Sequence, residues 1–110
     1  MMQSALTPVA ANGAQIPPVG LGTWQLAGDV LAASVQAAVA AGYRHFDTAP
    51  RYENEAEVGA ALRASGLARD SYFLTTKVWH TDLTADAFRR SAVPPSAVCK
   101  CWASGRSICC

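Results

Sequence analysis

The chain has 110 residues, 51% of them apolar and 15% charged, which suits one small globular domain and excludes intrinsic disorder. Nine basic and eight acidic residues leave a formal charge of +1 with the two signs interspersed, so neither nucleic acid nor an anionic membrane surface is an expected partner. The uncharged stretch from Val30 to Tyr43 is too short to span a bilayer, and no Lys or Arg precedes Arg44 to flank a signal peptide, so a cytoplasmic protein is expected.

The first predicted element is a hairpin. Asn12-Gly13 tolerates the positive φ angles of a tight type I′ turn, and short apolar runs flank it. Ile16 to Gly22 then reads as a buried strand, entered through Pro17 and Pro18 and closed by a glycine turn. Asp29 is placed to cap a helix whose Leu31, Val35, Ala38 and Val39 share one face, with Gly42 at its C-terminal end. Arg44-His45-Phe46-Asp47-Thr48 follows as a short second strand. A second helix is expected from about Asn54, with Val58, Ala61 and Leu62 as its inner stripe and Gly66 at its stop.

Tyr72 to Trp79 is aromatic and β-branched, hence a predicted third strand. Thr84 is placed to cap a third helix through Ala85, Phe88 and Arg90. Strand and helix alternate three times at short intervals, the pattern of parallel βαβ units. Three such units cannot cover their own faces: a doubly wound sheet usually has about five strands, and a closed (β/α)8 barrel about 250 residues.

In a parallel sheet, ligands meet the C-terminal ends of the strands and the loops that follow. Asp47 ends the second strand, Tyr52 lies in the next loop, and Lys77 falls near the end of the third. If those strands are neighbours, Asp47 and Lys77 can pair at the rim. An ammonium beside a tyrosine hydroxyl makes the phenol a readier proton donor, able to protonate a carbonyl oxygen while hydride arrives at carbon. Spacing alone leaves a plainer alternative open, in which Asp47 caps a turn, Tyr52 is a surface aromatic and Lys77 a solvated strand end. His45, inside a strand, reads as a packed histidine; His80 sits in a loop with no assignable role. Neither pairs with a second residue at metal-ligand spacing, so no metal is expected.

Val19-Gly20-Leu21-Gly22-Thr23-Trp24, then Gly42 to Ala49 with Tyr52-Glu53-Asn54-Glu55, then Thr76-Lys77-Val78-Trp79, resemble the opening of the aldo-keto reductase family. The motifs stand in that family's order and spacing over roughly residues 6–91. The resemblance implies an α/β fold: the N-terminal hairpin and about three βα units of an incomplete (β/α)8 TIM barrel. It implies an NADPH-dependent oxidoreductase that reduces an aldehyde or ketone to an alcohol. Tyr52 matches the family's general acid, Lys77 the residue that eases the tyrosine's loss of its proton, and Asp47 the partner of that lysine beside the nicotinamide ribose. Gly22 and Thr23 match positions at the nicotinamide, and Trp24 and Trp79 match walls of the substrate pocket, with ordinary rim packing as their alternative. A small carbonyl compound is the implied substrate and a monomer the implied state of the intact enzyme.

The chain also departs from the family. The fourth catalytic residue there is a histidine in a run resembling Val-Asp-Leu-Leu-Leu-Ile-His-Trp, which is missing here, and most contacts to the cofactor's adenosine 2′-phosphate come from later in the family's chain. Residues 1–91 therefore read as the N-terminal part of the barrel, and 92–110 as an irregular tail. Its Cys99, Cys101, Cys109 and Cys110 are crowded, whereas a disulfide scaffold spreads its cysteines. Zinc knuckles usually use two-residue gaps, which this tail lacks. Back-translated and read one base out of frame, Cys101 to Cys110 and a TGA stop are compatible with Leu-Gly-Leu-Gly-Glu-Val-Asp-Leu-Leu-Leu-Ile, close to the family's approach to that histidine. A frame lost near residue 92 is the expectation. The 110 residues alone are expected to be inactive and prone to aggregate, with a non-catalytic binding module and an inert product of a damaged gene as the alternatives.

Overall fold

The computed structural model describes residues 7–87. A hairpin of β1 (Val9–Ala11) and β2 (Ala14–Ile16) opens the chain, antiparallel, with Ala11 opposite Ala14. The turn between them needs left-handed backbone at both positions, and Asn12 (φ 47°) and Gly13 (φ 82°) supply it as expected. The run from Ile16 to Gly22 is not one strand. Pro17 and Pro18 cannot donate to a ladder, so β2 stops at Ile16 and β3 is confined to Leu21–Gly22.

Next come α1 (Gly28–Ala40), β4 (His45–Asp47), α2 (Glu55–Ala64) and β5 (Phe73–Thr75). The three later strands form one parallel sheet in the order β3-β4-β5, with Leu21 beside Phe46, and Asp47 beside both Gly22 and Thr75. The βαβ reading of the sequence is met. The third strand is shorter than predicted: it ends at Thr75, and Lys77, Val78 and Trp79 belong to the loop beyond it.

Asp29 does not cap α1. The helix begins one residue earlier, and the Gly28 N–H is taken by Glu57 Oε2 of α2 at 2.7 Å. Asp29 thus falls in the first turn, where its charge faces the positive end of the helix dipole. At the other end Gly42 (φ 95°) closes a Schellman motif, with Gly42 N–H bonded to Val39 O and Tyr43 N–H to Ala38 O. The helix α2 follows Asn54 and stops before Gly66 (φ 77°). The Thr84 hydroxyl accepts the Ala87 N–H at 3.2 Å, the expected cap of a helix that begins at Ala85; Phe88 and Arg90 lie outside the described residues.

Alternation along the strands sorts side chains to two faces. Phe46 and Leu74 join Leu31, Val35 and Ala38 of α1 and Val58, Ala61 and Leu62 of α2 in one core, so both helices cover the same face of the sheet. Tyr72 closes its edge with a ring at 84° to that of Phe46. His45, Asp47, Phe73 and Thr75 point the other way and line an open cleft of about 420 Å³, with Ile16 and Pro18 at its border. Among the described residues no helix is long and apolar enough to cross a membrane.

Candidate active site

Three loops meet at the C-terminal end of the sheet, and buried polar side chains lock them together. After β3, Thr23 gives both its N–H (3.1 Å) and its hydroxyl (2.8 Å) to the carbonyl of Asp47. After β4, the Thr48 N–H binds Thr75 O of β5, and the Thr48 hydroxyl donates to Asn54 Oδ1 at 2.9 Å. The Asn54 amide, 2% exposed, donates in turn to Thr23 O at 2.7 Å and Leu26 O at 2.9 Å. After β5, the Thr76 hydroxyl donates to Glu55 Oε2 at 2.6 Å. No buried side-chain nitrogen or oxygen among the described residues lacks a partner.

Two non-glycine residues adopt left-handed backbone in these loops, Gln25 (φ 61°) and Glu53 (φ 54°). A side chain there costs on the order of 1 kcal/mol, offset here by the bonds the bends permit. At Glu53 the chain leaves the short 3-10 turn Pro50–Tyr52 and enters the buried Asn54. The loop after β3 bends at Gln25, between Thr23 O and the Leu26 N–H that closes the turn at 3.1 Å.

On this frame the predicted triad converges. Lys77 Nζ lies 2.8 Å from Asp47 Oδ1 and 3.1 Å from Thr48 O, and 5.3 Å from the centre of the Tyr52 ring. Burial, the strongest single influence on Lys77, pushes its ammonium down. The hydrogen bond and charge of Asp47, joined by Tyr52, outweigh it and hold the lysine above its ordinary value. The site therefore keeps a fixed positive charge against a phenol ring. Lys77, beyond the end of β5, is 38% exposed as the plainer alternative of a solvated strand end has it, and it is paired with Asp47.

The other predicted residues lie around this core. Gly22 sits opposite Asp47 in the sheet, and a Cβ there would meet nothing within 4 Å, so the space beside it is open. Thr23 is fully buried and holds the Asp47 backbone. Trp79 is half-buried, with the Arg51 guanidinium 5.3 Å from its ring centre and the His80 ring at 4.7 Å. Trp24 is 67% exposed, with no ring partner among the described residues. His45 is a packed side chain: Nδ1 donates to Pro17 O (2.9 Å), which leaves Nε2 to accept from the Thr75 hydroxyl (3.1 Å) in the neutral ring. Among the described residues no three His, Cys, Asp or Glu side chains cluster as a metal site would require; the four cysteines lie outside those residues.

Sequence reasoning did not find Asn54, Thr48, Thr76, Glu55 or Arg51 as parts of the site. Asn54 reads from sequence as a helix start, and it is the residue before α2; its side chain, however, makes no cap and its amide is spent on two carbonyls of the loop after β3. Arg51 carried no signal beyond standing next to Tyr52.

The aldo/keto reductase family model matches residues 18–93. An aldo-keto reductase of Mycolicibacterium smegmatis is 49% identical over 76 residues, 69% of this chain and 28% of that protein. The glycerol 2-dehydrogenase (NADP(+)) of Saccharomyces cerevisiae is 51% identical over 70 residues, 64% of this chain and 22% of that protein. An aldo/keto reductase structure from Brucella melitensis superposes with a TM-score of 0.75 at 32% identity, covering 97% of this chain and 52% of the other. The chain thus spans less than a third of the length of these two sequence relatives. The match over most of the chain, with the three motif segments on adjoining parallel strands and the loops beyond them, makes this polypeptide a member of the aldo/keto reductase family.

Proposed function

We propose that residues 1–91 are the N-terminal catalytic part of a TIM-barrel aldo-keto reductase that reduces a small aldehyde or ketone to an alcohol with NADPH. The observation that carries this reading is the contact of Lys77 Nζ with Asp47 Oδ1 at 2.8 Å, with the same ammonium over the Tyr52 ring. Tyr52 donates the proton to the carbonyl oxygen, Lys77 favours the phenolate left behind, and Asp47 fixes Lys77. Trp24 and Trp79 wall the substrate.

The residues present suit the nicotinamide end of the cofactor. Gly22 leaves open space, Thr23 holds the Asp47 backbone, and the Asp47 carboxylate, about a third exposed, lines the cleft and would accept from a ribose hydroxyl there. NADPH, when bound, supplies the hydride that reaches the carbonyl carbon as Tyr52 supplies the proton. The yeast relative's name, which specifies NADP(+), supports the choice of nucleotide.

The 110 residues alone do not turn over on this reading, because the carbonyl-orienting histidine and most of the cofactor site lie beyond the matched segment in the family. Incubating the purified chain with NADPH and an aldehyde panel tests that: the expected result is no steady turnover, and turnover above a Tyr52→Phe control refutes it. The catalytic roles are tested by joining residues 1–91 to the later residues of the M. smegmatis relative. NADPH-dependent reduction is expected, falling about 10²–10⁴-fold in the Tyr52→Phe chimera; a chimera whose activity ignores that change refutes the assignment. The tail, residues 92–110, is read as out of frame, and a gene whose alternate frame does not continue into a His-Trp run refutes that.

A further inference from the structure

Two loops of the site exchange cations. The turn after β4 presents Arg51 and then Tyr52, and the loop after β5 presents Lys77 and, two residues on, Trp79. Lys77 Nζ lies 5.3 Å from the centre of the Tyr52 ring, and Arg51 Cζ lies 5.3 Å from that of Trp79, so each loop lends a cation to the other's aromatic ring.

The two cations differ in what they have left to give. Lys77 spends donors on Asp47 and on the Thr48 carbonyl. Arg51 lies over its ring and, among the described residues, gives no hydrogen bond and pairs with no carboxylate, not even that of nearby Glu53. A guanidinium over a ring still has N–H donors to give, in the fork geometry that matches a carboxylate. Arg44, by contrast, gives its donors to the carbonyls of Val39 and Tyr43, and Arg69 bonds the carbonyl of Tyr72. Arg63 lies in the last turn of α2, toward the opposite end of the sheet.

An exposed guanidinium is usually a mobile surface group. This one is held against an indole, one residue before the phenol that faces Lys77. We propose that Arg51, steadied by Trp79, recognises a carboxylate on the substrate, so that the site favours oxo acids over neutral aldehydes and ketones. The inference rests on the reading of Tyr52 as the proton donor, since it places the carboxylate and the reacting carbonyl in one molecule at adjacent residues.

The test titrates the 110-residue chain with 4-oxopentanoate and with 2-pentanone, which differ by the carboxylate, while the NMR signals of the Trp79 indole, the Arg51 side chain and the Tyr52 ring are followed. The oxo acid is expected to bind about tenfold more tightly, as a charge-assisted hydrogen bond predicts. The preference should vanish in Arg51→Leu and survive in part in Arg51→Lys, which keeps the charge and loses the fork. Equal affinities in the unmodified chain, or a preference that persists in Arg51→Leu, overturn the proposal and leave the Tyr52 reading standing. If neither ketone moves the Tyr52 or Trp79 signals, Arg51 holds no oxo acid in this chain and the proposal falls, while the Tyr52 reading is decided by the Tyr52→Phe chimera. If pyrophosphate, standing in for the phosphates of the cofactor, shifts the Arg51 signals while the oxo acid does not, the guanidinium serves a phosphate and the proposal is also overturned.

Discussion

One strand serves two masters in this sheet. Phe46 points to the helices and is fully buried; its neighbours His45 and Asp47 point the other way into an open cleft. The covered face is closed by apolar side chains from α1 and α2, within the same chain. The open face carries a histidine, a threonine and a carboxylate fastened by hydrogen bonds, with the Phe73 ring edge-on to that of His45 at 5.1 Å. The difference teaches that stability and chemistry are separated here by the two-residue period of a strand, so substitutions one position apart should have unlike consequences.

Breaking the covered face should have the largest effect. Phe46→Ala removes a fully buried ring from the centre of the core and is expected to cost about 3–5 kcal/mol, a large share of what a domain of this size possesses. Urea denaturation followed by circular dichroism checks this: a midpoint within error of the unmodified chain would show that the helix-covered face does not hold the fold. Next comes the polar lock. Asn54→Ala leaves Leu26 O and the Thr48 hydroxyl without their side-chain partner and takes one of two partners from Thr23 O, a loss of about 2–4 kcal/mol, because buried groups left unpaired keep their desolvation penalty. Hydrogen exchange should locate the loss in the loops after β3 and β4; uniform loss across the sheet would contradict the lock.

How much of this was legible in the sequence follows the same division. The helical side of the covered face was read correctly, because Leu31, Val35 and Ala38, and then Val58, Ala61 and Leu62, recur at helical spacing; Phe46 and Leu74, which complete that core, were not singled out, because three-residue strands carry too little alternation. The Asn12-Gly13 turn and the Gly42 helix stop were legible because each requires a positive φ that few residues accept. The failures lie where a long-range partner decides. Asp29 has the chemistry of a cap, but Glu57, a helix away, bonds the Gly28 N–H instead. Asn54 marks the start of α2, yet its amide is spent on carbonyls about thirty residues away in sequence. Strand-end position put Asp47, Tyr52 and Lys77 forward together; spacing alone did not separate Lys77 from an ordinary strand end, because its pairing with Asp47 depends on which strand lies next to β5.

A smaller effect probes the border between the faces. A Cβ at Gly20 would lie 2.9 Å from His45 O and 3.0 Å from the His45 ring, and the first of these is backbone that cannot swing away. Gly20→Ala should therefore destabilise by about 1–3 kcal/mol, the usual range for overpacking, while Gly22→Ala, which meets open space, should leave the fold nearly unchanged. Equal urea midpoints for the two variants would mean that the approach of β3 to His45 is not a constraint.

The smallest expected effect concerns the ion pair itself. Its side chains are 38% and 36% exposed, so water screens it and its contribution to stability should stay below about 1 kcal/mol. Its pH signature is nevertheless definite in sign. The folded-state value of Lys77 lies above the ordinary 10.5, so the pair's contribution is fully present below that value and is lost as pH rises through the higher folded-state value. The useful quantity is the difference between the unmodified chain and Lys77→Met at each pH. That difference should be constant from neutral pH to about pH 9 and should shrink above about pH 10.5. A difference that grew with pH would mean that folding disfavours the ammonium. Asp47 would then fail to hold Lys77 charged against Tyr52, and the proton-donor reading would lose its electrostatic basis while the packing of the covered face stood untouched.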